Sequence, residues 1–426
     1  MPKLLVLNDT RDQPNWGSQA CAQALVDILA ERVPGAEIET YTSTWMFGQY
    51  RIRRWGGGEP YRRRRPGRVE RRLTRQYDIV PHVVDEFEFV AERWLSGEAG
   101  PDARQYVTDL QRVDAVIFNA EGSTYRANHV AKLAMFMLWL ARTRFGLPSF
   151  FLNGTVALTD IDRTLPGMVR RAFPLLDGIT VREPRSQRNV AQYVAGAPAE
   201  LVPDSVFVYG PDLARDAGPD VRALLDRLGD EPYFVFSSSM LPIDFVRTLG
   251  ESSLVQLLRA LKEVVPNAVL TAKDVGDQWL QRVAAMTDSH FFGPDQSYAD
   301  LAALLERAAF LVSGRYHNII MGSIVGCPAV PLTSTSPKVD GLCELLEGLV
   351  GEPFDVTDLR ANTDAIVEAA REHLRRGESR RRELRDLASR LRGATGRMGD
   401  IVQSALSSAR PTGEQSMPAI SSTDVG

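Results

Sequence analysis

Short apolar runs recur along the chain, and most of them stop at a small polar cluster that opens a longer stretch with helical spacing. The first is KLLVL at 3–7; a polar loop at 8–17 follows, then apolar positions at Ala20, Ala22, Leu25, Val26 and Leu29. An unbroken apolar run of this length reads as a strand buried on both faces, and the spacing after it as a helix. The order then repeats. A strand is expected at 36–41. DAVIFN at 114–119 ends in Ala120, Glu121, Gly122, Ser123 and Thr124, ahead of a helix through Ala131, Leu133, Met135, Met137, Leu138 and Leu140. PSFFLN at 148–153 ends in Gly154 and Thr155, GITVR at 178–182 meets Glu183, and the run at 199–202 meets Pro203 and Asp204.

Gly210-Pro211, Gly218-Pro219 and Glu231-Pro232 then punctuate 205–232, as breakers do at a boundary. The alternation restarts with YFVF at 233–236 and a serine loop at 237–239. AVLT at 268–271 and a short strand at 290–292 follow, with helices expected at 254–265 and 277–286. AAFLV at 308–312 breaks off at Ser313 and Gly314. Arg315, His317 and a helix through Ile319, Ile320, Met321, Ile324 and Val325 come next, then Gly326, Pro328 and a last strand at 329–332. Strands alternating with helices predict parallel sheets covered on both faces. A chain of 426 residues exceeds one ordinary core. The expectation is an α/β fold of two doubly wound, Rossmann-like domains, 1–207 and 208–358, facing each other across a cleft. Helices at 359–408, Arg-rich on the polar face, and a disordered tail at 409–426 complete it. In such folds ligands bind outside the carboxyl ends of the strands.

Composition narrows the picture. With 44% hydrophobic and 24% charged residues the chain is globular, and a net charge of -4 gives no global attraction for nucleic acid. Cys21, Cys327 and Cys343 have neither metal-ligand spacing nor an even count, so they read as core residues of a reducing compartment. The opening MPKLLVLNDT is too short for a signal peptide, and no apolar run has membrane-spanning length. A cytoplasmic protein is expected. One stretch departs from the slightly acidic whole: an insertion at 47–76, with eleven arginines between Arg51 and Arg75 beside Trp55 and Tyr61. A solvated loop and a basic arm over an anionic acceptor or the inner face of a membrane both fit it.

The strand-to-helix junction at 313–317 is the sharpest chemical feature. Arg315 and His317 lie two residues apart where a strand end meets a helix N-terminus, a natural anion site. The segment Ser313-Gly314-Arg315-Tyr316-His317, followed by Gly326-Cys327-Pro328, Lys338, Gly341-Leu342 and Glu344, resembles the polysaccharide pyruvyl transferase family. Asn15-Trp16-Gly17, Val181-Arg182-Glu183 with Ser186, and Pro203-Asp204 resemble further landmarks in the same order. Where the family carries a Gly-Gly-Gly-Ser-like loop, this chain has 120–124, keeping Gly122 and Ser123.

The resemblance implies a glycosyltransferase-B-type fold and transfer of pyruvate from phosphoenolpyruvate to a sugar, with no cofactor and no metal. It implies catalytic roles for His317, Arg315 and Arg182, and donor binding by Arg182, Ser313, Arg315, His317 and Lys338. The acceptor, a sugar or glycolipid, would meet Asn15, Trp16, Gly17, Glu121, Gly122, Ser123 and Asn153. Arginine suits a donor with carboxylate and phosphate because its planar fork makes bidentate bonds. A protonated His317 would supply the proton that the donor's methylene carbon needs. A nucleotide-sugar glycosyltransferase on the same fold, or a non-catalytic anion- or sugar-binding protein, are the alternatives.

Overall fold

The computed structural model describes residues 1–48, 80–125, 128–161, 164–239, 243–273 and 275–408. The Arg-rich stretch 51–75 and the tail from 410 lie outside the described residues. Two parallel sheets organise the rest. The first contains β1 (Lys3–Asp9), β2 (Glu37–Thr42), β3 (Ala115–Tyr125), β4 (Ser149–Ala157), β5 (Gly178–Val181) and β6 (Glu200–Leu201), in the order β2-β1-β3-β4-β5-β6. The second contains β7 (Tyr233–Ser239), β8 (Asn267–Thr271), β9 (His290–Phe292), β10 (Leu311–Gly314) and β11 (Ala329–Pro331), in the order β11-β10-β7-β8-β9.

Both sheets are apolar on each face, which is why their strands read as unbroken runs rather than alternating ones. In the first sheet Leu5, Leu7, Val116 and Phe118 pack against the helix His129–Phe145, while Leu4, Val6, Ala115 and Ile117 face the helix Trp16–Arg32. In the second, Val235, Val269 and Leu311 belong to one core, and Phe234, Phe236, Leu270 and Val312 to another. Fully burying such side chains is worth roughly 1.5–3 kcal/mol each. Helix entry follows local chemistry: the Asn15 side chain accepts from the N–H groups of Gly17 and Ser18 and so starts the first long helix.

The strand orders locate the site. In the first sheet the direction of winding reverses between β1 and β3, and in the second between β7 and β10. Crevices open at such switch points, at the carboxyl ends of the strands. Residues 8–10 and 119–124 border the first crevice, and 237–239 with 313–317 the second.

The expected C-terminal helices are present as Leu359–Thr395 and Arg397–Ser408. Gly377 interrupts the first, with φ 47° and ψ -131°. Ile366, Val367 and Ala370 pack on one face of the second sheet, Leu384, Leu387 and Ala388 in its other core, and Met398 and Val402 on the first sheet. The segment thus ties the two sheets together. Among the described residues no helix is long and apolar enough to cross a membrane.

Candidate active site

Three strands of the first sheet share an irregularity. Asn8, Glu121 and Asn153, within β1, β3 and β4, have φ of 65°, 40° and 59°, and strand pairing slips beside each of them. Such bulges re-aim side chains at the rim of a sheet. Asn153 is turned inward: its Nδ2 donates to Ser205 Oγ at 2.9 Å, its Oδ1 accepts from Ser205 N at 3.1 Å, and the side chain is fully buried. Expected on the acceptor side, it instead ties β4 to the segment after Asp204. Trp16 is also core, packed with Val206, Phe207 and Tyr316, so its ring offers no open stacking face. Asn15 caps its helix, and Ser123 Oγ donates to Ala120 O.

Glu121 is buried and accepts from Thr10 Oγ1 of the β1 loop and, at 3.4 Å, from Asn119 Nδ2. Burial raises its carboxyl above the ordinary range, against the pull of Thr10, Arg182 and Lys273. Gly122 comes next. A Cβ there would lie 3.4 Å from Arg182 Nη2 and 3.8 Å from Lys338 Nζ, so this part of the loop is the surface on which both cations rest.

Arg182 follows β5 and is fully buried. Its Nη1 donates to Asp204 Oδ2 at 2.5 Å, and its Nε to Thr155 Oγ1 at 2.9 Å and Glu183 Oε1 at 3.2 Å. Its guanidinium stacks 4.4 Å from the Tyr316 ring centroid, a cation–π contact between the two halves. The two carboxylates on this arginine are driven apart. Burial alone would raise both. At Asp204, Arg182, His317 and the Val206 N–H overcome it and hold the group at about 2; at Glu183 burial prevails and the carboxyl is raised.

The second sheet supplies the cations. Arg315 precedes the helix Tyr316–Val325; its Nη2 donates to Asp277, which also accepts from Ser238 Oγ at 2.6 Å, and its backbone N donates to Ser313 Oγ at 2.9 Å. The buried Arg315 Nε has no hydrogen-bond partner among the described residues. Lys273 is buried just beyond β8. Lys338 opens the helix Lys338–Leu345, and burial together with Lys273, Arg182 and Arg315 pushes its ammonium down to about 7. His317, in the first turn of its helix, lacks a hydrogen-bond partner on either ring nitrogen among the described residues, and its Nε2 lies 3.7 Å from Asp204 Oδ2. Burial lowers the imidazole to about 4 despite Asp204. This burial favours the neutral imidazole, and the protonated form expected of a proton donor is favoured only by an added negative charge nearby. Gly17 makes room for it, since a Cβ there would come 2.6 Å from His317 Nδ1.

Helices of the two halves are also bridged directly. Arg185 Nε donates to Glu344 Oε1 at 2.7 Å and Arg188 Nη2 to Glu344 Oε2 at 2.8 Å. This places Lys338, six residues earlier on the same helix, over the Gly122 loop.

A family model for polysaccharide pyruvyl transferase matches residues 15–336. The chain belongs to the polysaccharide pyruvyl transferase family. It is accordingly a transferase. No curated protein matches it. Among solved structures, Anabaena HepE in complex with UDP is similar at a TM-score of 0.57 and 15% identity, covering 96% of this chain and 100% of its own. UDP-GlcNAc 2-epimerase from Neisseria meningitidis, bound to UDP-GlcNAc, is similar at 0.56 and 12%, covering 96% and 100%. A putative UDP-N-acetylglucosamine 2-epimerase from Listeria monocytogenes is similar at 0.57 and 13%, covering 98% and 99%. At these identities the likeness is one of fold, which is glycosyltransferase-B-type.

Among the described residues of this pyruvyl transferase-family chain one group of side chains has the reach of a metal site: ligand atoms of Cys21, Asp204 and His317 lie within 4.8 Å of one another. A cation there would face the Arg182 guanidinium, which already occupies Asp204, so the donor set does not suit one. Lys273, Asp277 and Thr10 were missed by the sequence reading. All three sit one to six residues beyond a strand end, the rule that found Arg315, but in the string TAKDVGDQ and in NDTRD they look like ordinary loop polarity.

Proposed function

We propose that the protein moves pyruvate from phosphoenolpyruvate onto two hydroxyls of a sugar, releasing phosphate and leaving a cyclic ketal. The observation that carries this reading is the convergence of Arg182, Lys273, Arg315 and Lys338 on one cleft that also holds His317. Burial, with Lys273, Arg182 and Arg315 nearby, pushes Lys338 down to about 7, and an anion bound beside it would favour its charged form. A small donor with a carboxylate and a phosphate supplies such an anion.

In the addition step an acceptor oxygen bonds to the donor's C2 while C3 takes up a proton and becomes a methyl group. The C2–O bond to phosphate then breaks, and the second hydroxyl closes the ring. Lys338 is the proton donor best matched to neutral pH. Burial favours the neutral form of His317, which gains proton affinity once a multiply charged anion lies beside it. Arg315 neutralises the departing phosphate. The family name supports a sugar acceptor.

The test is to incubate the protein with phosphoenolpyruvate and a panel of glycosides and lipid-linked sugars, then seek by mass the pyruvylated product together with released phosphate. The UDP held by the Anabaena neighbour makes nucleoside diphosphates the natural competitor. Stabilisation in a thermal scan by UDP and not by phosphoenolpyruvate, with no pyruvylated product, would replace this reading with glycosyl transfer.

A further inference from the structure

Of the three left-handed residues in the strands of the first sheet, two are asparagines, which tolerate that conformation; Glu121, at φ 40°, is not of that kind. The position therefore carries two unfavourable features at once: backbone strain in a residue with a long side chain, and a carboxyl group buried to 8% exposure. A glycine would relieve the strain and remove the buried acid. The carboxyl is held in place by Thr10 from β1 and by Asn119, itself pinned by Asn8 Nδ2 donating to Asn119 O at 2.8 Å. Asn119 keeps its Oδ1 buried and without a hydrogen-bond partner among the described residues. The cluster sits at the crevice where the winding of the first sheet reverses, and the next residue, Gly122, underlies Arg182 and Lys338.

We propose that Glu121 is the catalytic base of the acceptor side: it orients the sugar's hydroxyl and takes its proton as the oxygen attacks the donor. The inference rests on the reading of the reaction given above. The carboxyl is held by Thr10 of the β1 loop, and Arg182 and Lys273 act on it as neighbouring cations. In the addition the O–H bond of the acceptor breaks, its proton passes to the Glu121 carboxylate, and the oxygen bonds to C2 while C3 is protonated by Lys338. When the C2–O bond to phosphate breaks, the proton on Glu121 leaves with the phosphate. The second hydroxyl gives its proton to the neutral Lys338 amine as the ring closes, and both groups are restored. The groups that set the proton affinity of Glu121 are Thr10 on the β1 loop, Arg182 and Asp204 beyond β5 and β6, and Lys273 beyond β8. Its raised carboxyl makes the ionised form a better base than an exposed glutamate.

Two variants test this, Glu121→Gln and Glu121→Gly, with nitrophenyl glycosides as acceptors and phosphoenolpyruvate as donor. Glu121→Gln should lower kcat by a hundredfold or so, the usual order for a lost general base, while phosphoenolpyruvate binding by calorimetry stays unchanged. Glu121→Gly should be as inactive as Glu121→Gln yet melt at or above the wild-type temperature, because it sheds strain and a buried acid. That pairing of lost turnover with kept or gained stability is something a structural role does not produce. The proposal is overturned if Glu121→Gln retains wild-type kcat, or if Glu121→Gly loses stability and donor binding together. Wild-type protein that makes no pyruvylated product from phosphoenolpyruvate overturns instead the reaction on which the proposal rests.

Discussion

The two halves of the cleft are built with opposite charge. The first sheet presents carboxylates in or just beyond its strands, Asp9, Glu121, Glu183 and Asp204, while the second presents Lys273, Arg315 and Lys338 with His317 among them. Among the described residues each half also carries the other sign: Arg182 sits among the carboxylates and Arg11 on Asp9, and Asp277 holds Arg315 among the cations. The difference teaches what each half is suited to hold. Carboxylates are acceptors for sugar hydroxyls, whereas crowded cations invite an anion. The embedded opposite charge fixes geometry in each half: Asp204 and Glu183 lock the Arg182 fork, and Asp277 aims Arg315.

The comparison breaks most readily at Asp204. Asp204→Ala should leave the buried Arg182 with Glu183 as its remaining carboxylate and cost about 3–5 kcal/mol in chemical denaturation. A loss below about 1 kcal/mol would mean that the acidic half is not organised around this pair. On the basic side, Arg315→Lys keeps a charge for Asp277 but loses the fork. Affinity for phosphoenolpyruvate should fall by about 1.5–3 kcal/mol, roughly ten- to a hundredfold, with Tm close to wild type; undiminished affinity by calorimetry would remove Arg315 from the anion site.

A pH series sharpens the contrast further. His317 sits at about 4 when folded against an ordinary 6.5. Below 6.5 the unfolded chain takes up a proton that the folded chain refuses. This stability is therefore full above the unfolded value and is lost as the pH falls toward 4. His373, buried on the long C-terminal helix, shifts the same way, so His317→Gln should flatten only part of the slope measured by Tm against pH. A slope unchanged in the variant would mean that His317 is not held neutral. The smallest effect belongs to the bridge between the halves. Glu344 is partly exposed, and Glu344→Gln should cost about 0–1 kcal/mol, vanishing in high salt; a larger, salt-independent loss would show that the bridge is needed to keep Lys338 in place.

Much of this fold could be read from the chain because both sheets are sealed on two faces, so their strands appear as short unbroken apolar runs. The runs at 3–7, 233–236 and 268–271 lie within strands, and those at 114–119 and 148–153 begin one residue before theirs. The region at 277–286 was less clear: the helix begins only at Leu280, because Asp277 is drawn into a short 3-10 turn by the Lys273 N–H and Arg315. Of the candidate site, Arg182, Arg315, His317 and Lys338 were legible from strand-end position and resemblance. What stayed hidden was side-chain direction. Asn153 and Glu121 occupy equivalent bulged positions, yet one is sealed by Ser205 and the other points toward Thr10, and nothing in local sequence distinguishes them. The protonation of His317 was equally out of reach, because it depends on burial between two halves far apart in sequence.

The return of the chain's last helix to the first sheet has a consequence for biosynthesis. Leu4, Val6 and Ile117 share a core with Leu25, Ile28 and Leu29 and also with Met398 and Val402, so the covering of one face of the first sheet is completed only by residues far down the chain. As the chain emerges from the ribosome, the part of that face not covered by the helix Trp16–Arg32 stays open to water until the helix Arg397–Ser408 has been added, and the N-terminal half cannot finish folding before the C-terminal half has been made. A nascent chain halted before Arg397 exposes an apolar strip, and its survival depends on whatever in the cell shields such strips.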